Sequence, residues 1–158
     1  MNELCEKVQE QSAQKDKYLT FKLGVELFAL EIGFVKEIYN MLTIVPMPCA
    51  PDYMKGIINL RGKIIPVLDM RLVLGKESRD YSGRTCIIIL YVNQAHCGLI
   101  VDTVSEVCSI PEENIEPPPG MASIQSNRYL KGIAKIGNEL AMVLDCEEIM
   151  SLQDQEVS

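Results

Sequence analysis

From Lys17 onward the chain reads in twos. Leu19, Phe21 and Leu23 alternate with Tyr18, Thr20 and Lys22, the period of a strand with one face turned inward. Gly24 interrupts the run and Glu26–Ile32 resumes it, which predicts a hairpin; Asn93 stands at the matching interruption further on. Both residue types tolerate the positive φ of a tight turn. Gly33–Asn40, with apolar Phe34, Val35 and Ile38, is expected to form a short helical turn. Ile44–Pro51 is punctuated by prolines and reads as extended chain. A second hairpin is predicted for Gly56–Leu60 and Lys63–Leu68 around Arg61-Gly62. A third joins Ile133–Ile136 to Glu139–Leu144 around Gly137-Asn138. Glu112–Asn127, with its Pro117–Gly120 run, reads as a loop.

The pattern occurs twice. Tyr53–Asp69 aligns with Tyr129–Asp145 without a gap, with 7 of 17 positions identical at an offset of 76. A weaker match at offset 69 relates Phe21–Ile38 to Leu90–Val107, through Leu30/Leu99, Val35/Val104 and Glu37/Glu106. The order is A–B–A′–B′, a duplicated unit of about 70 residues. Such a unit buries only about 60% of its unfolded surface and is marginal alone, so the two copies are expected to pack as one body with a groove at their junction. Short strands in small units predict two β-barrels rather than a sandwich or a parallel sheet. Asp69 and Asp145 end the two B hairpins at equivalent places and read as helix N-caps, with Glu148 at the N3 position of a capping box. A paired-carboxylate acid–base site is the competing reading.

Composition fits this picture. The 158 residues are 47% apolar and 23% charged, with no Trp, the balance of an ordinary folded domain and not of a disordered chain. The apolar run Cys86–Val92 is far short of the roughly 20 residues of a spanning helix. The N-terminus lacks a basic segment followed by an apolar one, so secretion is not expected. The net charge is −7, but residues 18–145 hold 14 acids against 12 bases, and 146–158 hold four acids and no base. No Lys/Arg cluster stands out along the chain, which disfavours nucleic acid and anionic membrane as partners. Residues 1–16 are expected to be a mobile segment, 17–152 the folded domain, and 153–158 an acidic mobile tail.

Candidate chemistry is sparse. Six cysteines, at 5, 49, 86, 97, 108 and 146, include no C-x-x-C pair; Cys86, Cys97 and Cys108 lie in strand-like runs and read as small buried hydrophobes of a reducing compartment. The adjacent His96 and Cys97 suggest a cysteine-dependent hydrolase acting through Cys97 or Cys86, but neighbours on a strand point to opposite faces. Gly75-Lys-Glu-Ser78 lacks the Ser or Thr that a phosphate loop needs after Lys. One His cannot build a His-based metal site. A ligand-binding barrel would need a cavity, whereas large aliphatic residues on both strand faces predict a filled interior. No cofactor or metal is expected, which leaves a binding module. Where the copies differ, Arg61 stands out: a charged residue in a turn whose second copy is Gly137-Asn138. It adds little to stability there, and Arg is a frequent anchor at interfaces.

Val35-Lys-Glu-Ile38, Pro46-Met-Pro48 with Ala50-Pro51, and above all Gly56-Ile-Ile-Asn-Leu-Arg-Gly-Lys-Ile-Ile-Pro-Val-Leu-Asp69 resemble the CheW family, the chemotaxis coupling proteins of prokaryotes. Gly98–Asp102, Val104–Val107 and Tyr129–Ile133 extend the resemblance over about residues 18–152. It implies a mainly β fold of two intertwined SH3-like five-stranded barrels with short helices and a C-terminal helix, and no catalytic activity. It also implies a cytoplasmic adaptor, recruited to membrane-associated receptor arrays, that joins the cytoplasmic tips of chemoreceptors to the regulatory domain of a sensor histidine kinase. The family's receptor contacts line the groove between the barrels, and its motif residues map to Val35, Glu37, Arg61, Gly98 and Val104, with Gly56 supporting the hairpin. Cys86 and Cys97 depart from the family's usual aliphatic residues.

Overall fold

Turn chemistry sets the hairpins. The computed structural model describes residues 16–118 and 128–157, the last five as backbone. Strands β1 (Lys17–Leu23) and β2 (Glu26–Glu31) join at Gly24, with φ +64°. Strands β4 (Met54–Leu60) and β5 (Lys63–Asp69) join at Arg61-Gly62, with φ of +50° and +84°. Two positive φ values in succession are the signature of the type I′ turn, whose twist matches that of the strands it joins. Strands β6 (Cys86–Val92) and β7 (Ala95–Val101) turn the same way at Asn93-Gln94. Strands β10 (Leu130–Ile136) and β11 (Glu139–Leu144) turn at Gly137-Asn138, where only the first residue has positive φ. The remaining described strands are β3 (Val35–Asn40), β8 (Thr103–Ser109) and the two-residue β9 (Ile115–Glu116).

Three expectations are corrected. The helical turn expected over Gly33–Asn40 is confined to a 3-10 turn at Ile32–Phe34, and β3 follows; Val35 and Ile38 are apolar because a bulge at Lys36 lets both face inward. The loop expected from Glu112 opens with a 3-10 turn and then β9. Its remainder, 119–127, lies outside the described residues, as do residues 1–15 with Cys5. The C-terminal helix continues through Val157 across most of the expected tail, since Gln153–Val157 contains no Gly or Pro to stop it.

The strands form two sheets, with orders β8-β1-β2-β11-β10-β9 and β3-β6-β7-β5-β4, hereafter barrel 1 and barrel 2. Within each, hairpins pair antiparallel, and one parallel pairing (β2 with β11, β5 with β7) joins hairpins from opposite copies of the repeat. The third strand of each A unit crosses over: β3 pairs with β6, and β8 pairs with β1. Each barrel therefore draws strands from both copies, as the intertwined architecture requires. The registers obey the repeat, since Ala29↔Val143 in barrel 1 is the counterpart of Gly98↔Val67 in barrel 2. Both B units also carry the same bulge, at Met54/Gly56 and Leu130/Gly132.

Three cores follow. Ile58, Ile65, Val67, Ile87, Ile89 and Ile100 fill barrel 2; Tyr18, Ala29, Ile110, Ala134 and Val143 fill barrel 1. The largest core lies between the barrels and takes Phe21, Phe28, Leu30, Ile88, Leu90 and Leu99 among others. A strand buried on both faces must be apolar at successive positions, which accounts for Cys86–Leu90. Two helices close this junction: α1 (Met70–Val73) through Met70, and α2 (Cys146–Val157) through Cys146, Ile149 and Leu152. Asp69 and Asp145 are N-caps. Asp69 Oδ1 accepts from Arg71 N–H at 2.9 Å, and Asp145 Oδ1 from Glu147 and Glu148 N–H at 3.0 and 3.2 Å. The capping box is incomplete: Asp145 N–H donates to the Tyr129 carbonyl, and the Glu148 carboxylate turns to Arg128.

Candidate protein-interaction site

The turn at Arg61 is held from across the barrel. Arg61 leaves β4, one edge of the five-stranded sheet, while Glu37 and Tyr39 lie on β3, the other edge. Curling the sheet brings the edges together. Arg61 forms two hydrogen bonds to the Glu37 carboxylate, one of them at 3.3 Å, and a third to the Tyr39 hydroxyl at 2.7 Å. Tyr39 in turn donates to Glu37 at 2.5 Å. Burial alone would raise the Glu37 carboxyl, but the hydrogen bonds from Arg61 and Tyr39 and the guanidinium charge outweigh it and hold its pKa below the ordinary value. The same carboxylate raises the pKa of Arg61. Arg61 is thus not the solitary turn residue its sequence context suggests. Its side chain remains 69% exposed while that of Glu37 is 16% exposed, so the pair presents a cation to solvent on a half-buried anionic footing.

The other motif residues are placed differently. Val35 is buried and Val104 half-buried against the inter-barrel core, at equivalent positions of β3 and β8. Gly98 lies inside barrel 2, where an added Cβ would stand 3.0 Å from Ile87 Cγ2 and 3.3 Å from Val67 Cγ2. Gly56, at φ +150°, forms the β4 bulge, and a Cβ there would stand 2.1 Å from the Val45 carbonyl oxygen. That carbonyl accepts from Ile57 N–H at 2.9 Å, so Gly56 lets the proline-punctuated segment join the edge of β4. Among the six, only Glu37 and Arg61 share a hydrogen bond. A recess of about 230 Å³ does lie at the junction, between the equivalent Tyr53 and Tyr129, with Leu74, Arg128 and Leu152; it contains none of the six.

The sequence reading missed Tyr39, although its i, i+2 spacing from Glu37 places both on one strand face. It also missed a half-buried polar network at the start of α1. Arg71 donates to Asp102 through Nε at 2.9 Å and Nη2 at 2.5 Å, and Arg79 joins at 3.2 Å. Arg71, the Gly24 N–H at 2.7 Å and Arg79 together overcome the burial of Asp102 and lower its pKa. Tyr81 donates to the buried Asp69 at 3.0 Å, and burial beside that carboxylate pushes the Tyr81 phenol up. These bonds pin the connection from α1 to β6.

The thiols do not assemble a nucleophile. Cys97 is wholly buried in the inter-barrel core, while His96 lies on the outer face of β7 with its Nε2 3.3 Å from Lys36 Nζ. Burial raises the Cys86 and Cys146 thiols. Among the described residues, no group of three or more His, Cys, Asp or Glu side chains is placed to hold a metal ion, and no helix is long and apolar enough to cross a membrane.

Paired, crossed-over barrels with filled interiors and an exposed, braced arginine define a duplicated β module built to present surfaces. Residues 17–154 match the CheW-like domain family, and the chain belongs to it. It is 33% identical over 138 residues to the chemotaxis protein CheW of Klebsiella aerogenes, covering 87% of this chain and 83% of that one. The CheW of Treponema pallidum is 32% identical over 142 residues, covering 86% and 82%. The crystal structure of the scaffolding protein TtCheW from Thermoanaerobacter tengcongensis superposes with a TM-score of 0.77 at 39% identity, covering 82% and 84%.

Proposed function

We propose that this chain is a non-enzymatic adaptor that couples transmembrane chemoreceptors to a sensor histidine kinase, working on the cytoplasmic face of receptor arrays without a cofactor. The observation that carries this reading is the braced Arg61, set in a turn conformation that arginine rarely adopts and fixed by two side chains of a distant strand. Its surroundings are those of a family whose named relatives are chemotaxis and scaffolding proteins. A side chain ordered before docking loses less entropy when it docks. Val35, Glu37, Gly56, Gly98 and Val104 complete the proposed partner-binding set, with Gly56 and Gly98 acting through the backbone shape they permit. An adaptor of this kind needs only to hold two proteins at fixed geometry, so that each raises the effective concentration of the other.

The test is co-purification of the chain with a receptor cytoplasmic-tip fragment and the kinase regulatory domain. The wild-type chain is expected to bring the two together, and Arg61→Ala to weaken capture of at least one by about fivefold or more with an unchanged melting temperature. Capture by Arg61→Ala equal to wild type would remove Arg61 from the site. The hydrolase alternative makes an opposite prediction, that Cys97 or Cys86 of the native chain alkylates quickly. Their burial favours labelling of the exposed Cys49 well before either of them.

A further inference from the structure

The end of barrel 2 that carries Arg61 holds more positive charge than its own carboxylate neutralises. Lys36 lies across β6 with Nζ 5.0 Å above the Tyr91 ring and 3.3 Å from His96 Nε2, and the Tyr91 and His96 rings lie 4.6 Å apart. An ammonium can only donate, so His96 Nε2 accepts and the imidazole proton sits on Nδ1. Lys63 is exposed just beyond the Arg61-Gly62 turn. Lys36, Arg61, Lys63 and His96 border a recess of about 90 Å³ floored by Leu60, Ile65 and Ile89. The anion at this recess is Glu37, already engaged by Arg61 and Tyr39. None of the ion pairs among the described residues involves Lys36 or Lys63. Two ammonium groups outside those ion pairs therefore border one recess on a chain whose net charge is −7.

The fold does not demand this. At the equivalent positions of barrel 1, Ser105, Gly137, Glu139 and Leu27 stand in place of Lys36, Arg61, Lys63 and His96, and Glu106 in place of Glu37. The same backbone thus closes with carboxylates there, one of them 3.6 Å from Lys22. Like charges gathered on a surface repel in the free protein, and a charge-complementary partner relieves that repulsion.

We propose that the recess bounded by Lys36, Lys63 and His96 receives a carboxylate side chain of the protein that docks at Arg61. This rests on the adaptor reading above and adds to it the chemistry of the partner: an Asp or Glu flanked by two ammonium groups over an apolar floor.

The test measures affinity of the full chain for the receptor-tip fragment and for the kinase regulatory domain by calorimetry, at about 50 and about 300 mM salt. The Lys36→Glu/Lys63→Glu chain should bind one of the two about tenfold or more weakly at low salt, with a flattened salt dependence. Lys36→Gln/Lys63→Gln should move the same way by less, and it carries the test should the reversed pair misfold. Lys17→Glu/Lys135→Glu, on barrel 1, should bind as wild type. Lysine variants with wild-type affinity and salt dependence toward both partners overturn this inference, and leave the adaptor reading standing if Arg61→Ala still weakens capture. A wild-type chain that binds neither fragment overturns both.

Discussion

The B hairpins of the two barrels share a backbone and differ at their tips. In barrel 1 the turn is Gly137-Asn138, a pair suited to the conformation; in barrel 2 the equivalent place holds Arg61, at φ +50°. Gly132 and Gly56 occupy the same bulge, and a Cβ on either would strike a backbone carbonyl, Glu116 at 2.6 Å or Val45 at 2.1 Å. Gly56 and Gly132 are thus kept in both copies because the backbone needs them, whereas Arg61, Lys36 and Lys63 occur in one copy only. At these positions the repeat is an internal control: the same backbone is built with the three cations and without them.

Substitutions can press on this contrast. The largest effect is expected at the shared bulge: Gly56→Ala and Gly132→Ala should each destabilise by about 2–4 kcal/mol in denaturant titrations, and a silent change at either would end the claim that the bulge is structural. Next comes Gly98→Ala. Its counterpart in barrel 1 is Ala29, so a Cβ is compatible with the position in principle, but Ile87 and Val67 must yield. A loss of about 1–2 kcal/mol is expected, and repacking Val67→Ala should recover part of it. Arg61→Gly transplants the barrel 1 residue into barrel 2. The melting temperature should hold or rise, while partner binding falls about fivefold or more; a large loss of stability instead would make Arg61 a structural clasp.

The smallest effect is spectroscopic. Burial first, then Lys36 and Lys63, hold the pKa of His96 below 6.5, against a weaker opposing pull from Glu37. Because the folded value is lowered, the unfolded chain binds more protons in this range. The ring's contribution to stability is therefore in place above pH 6.5 and declines as pH falls through the folded pKa. As the chain has one histidine, its ring signals can be titrated directly by NMR. Lys36→Gln should raise the midpoint toward 6.5, and an unmoved midpoint would break the link between Lys36 and His96.

Much of this arrangement was legible in the sequence, for local reasons. The hairpin turns, both N-caps and the duplication depend on residues close in the chain or on a fixed offset, and period-two alternation marks the half-buried strands. What escaped depends on closure. Glu37 and Arg61 lie 24 residues apart on opposite edges of a sheet, so no spacing rule pairs them. The cations of barrel 2 come from β3, the β4–β5 turn and β5, which is why the chain shows no basic cluster while the fold builds one. The crossing of β3 and β8 was equally hidden, because either strand satisfies the same hydrophobic pattern beside its own hairpin or the other copy's.

That crossing also orders events in time. Barrel 2 is continuous in the chain, from Val35 to Val101, whereas barrel 1 takes its first hairpin from residues 17–31 and its remaining strands from 103–144. As the polypeptide leaves the ribosome from its N-terminus, the later-numbered barrel has all its strands first. The β1–β2 hairpin must wait for β8 and β11 before it can be enclosed.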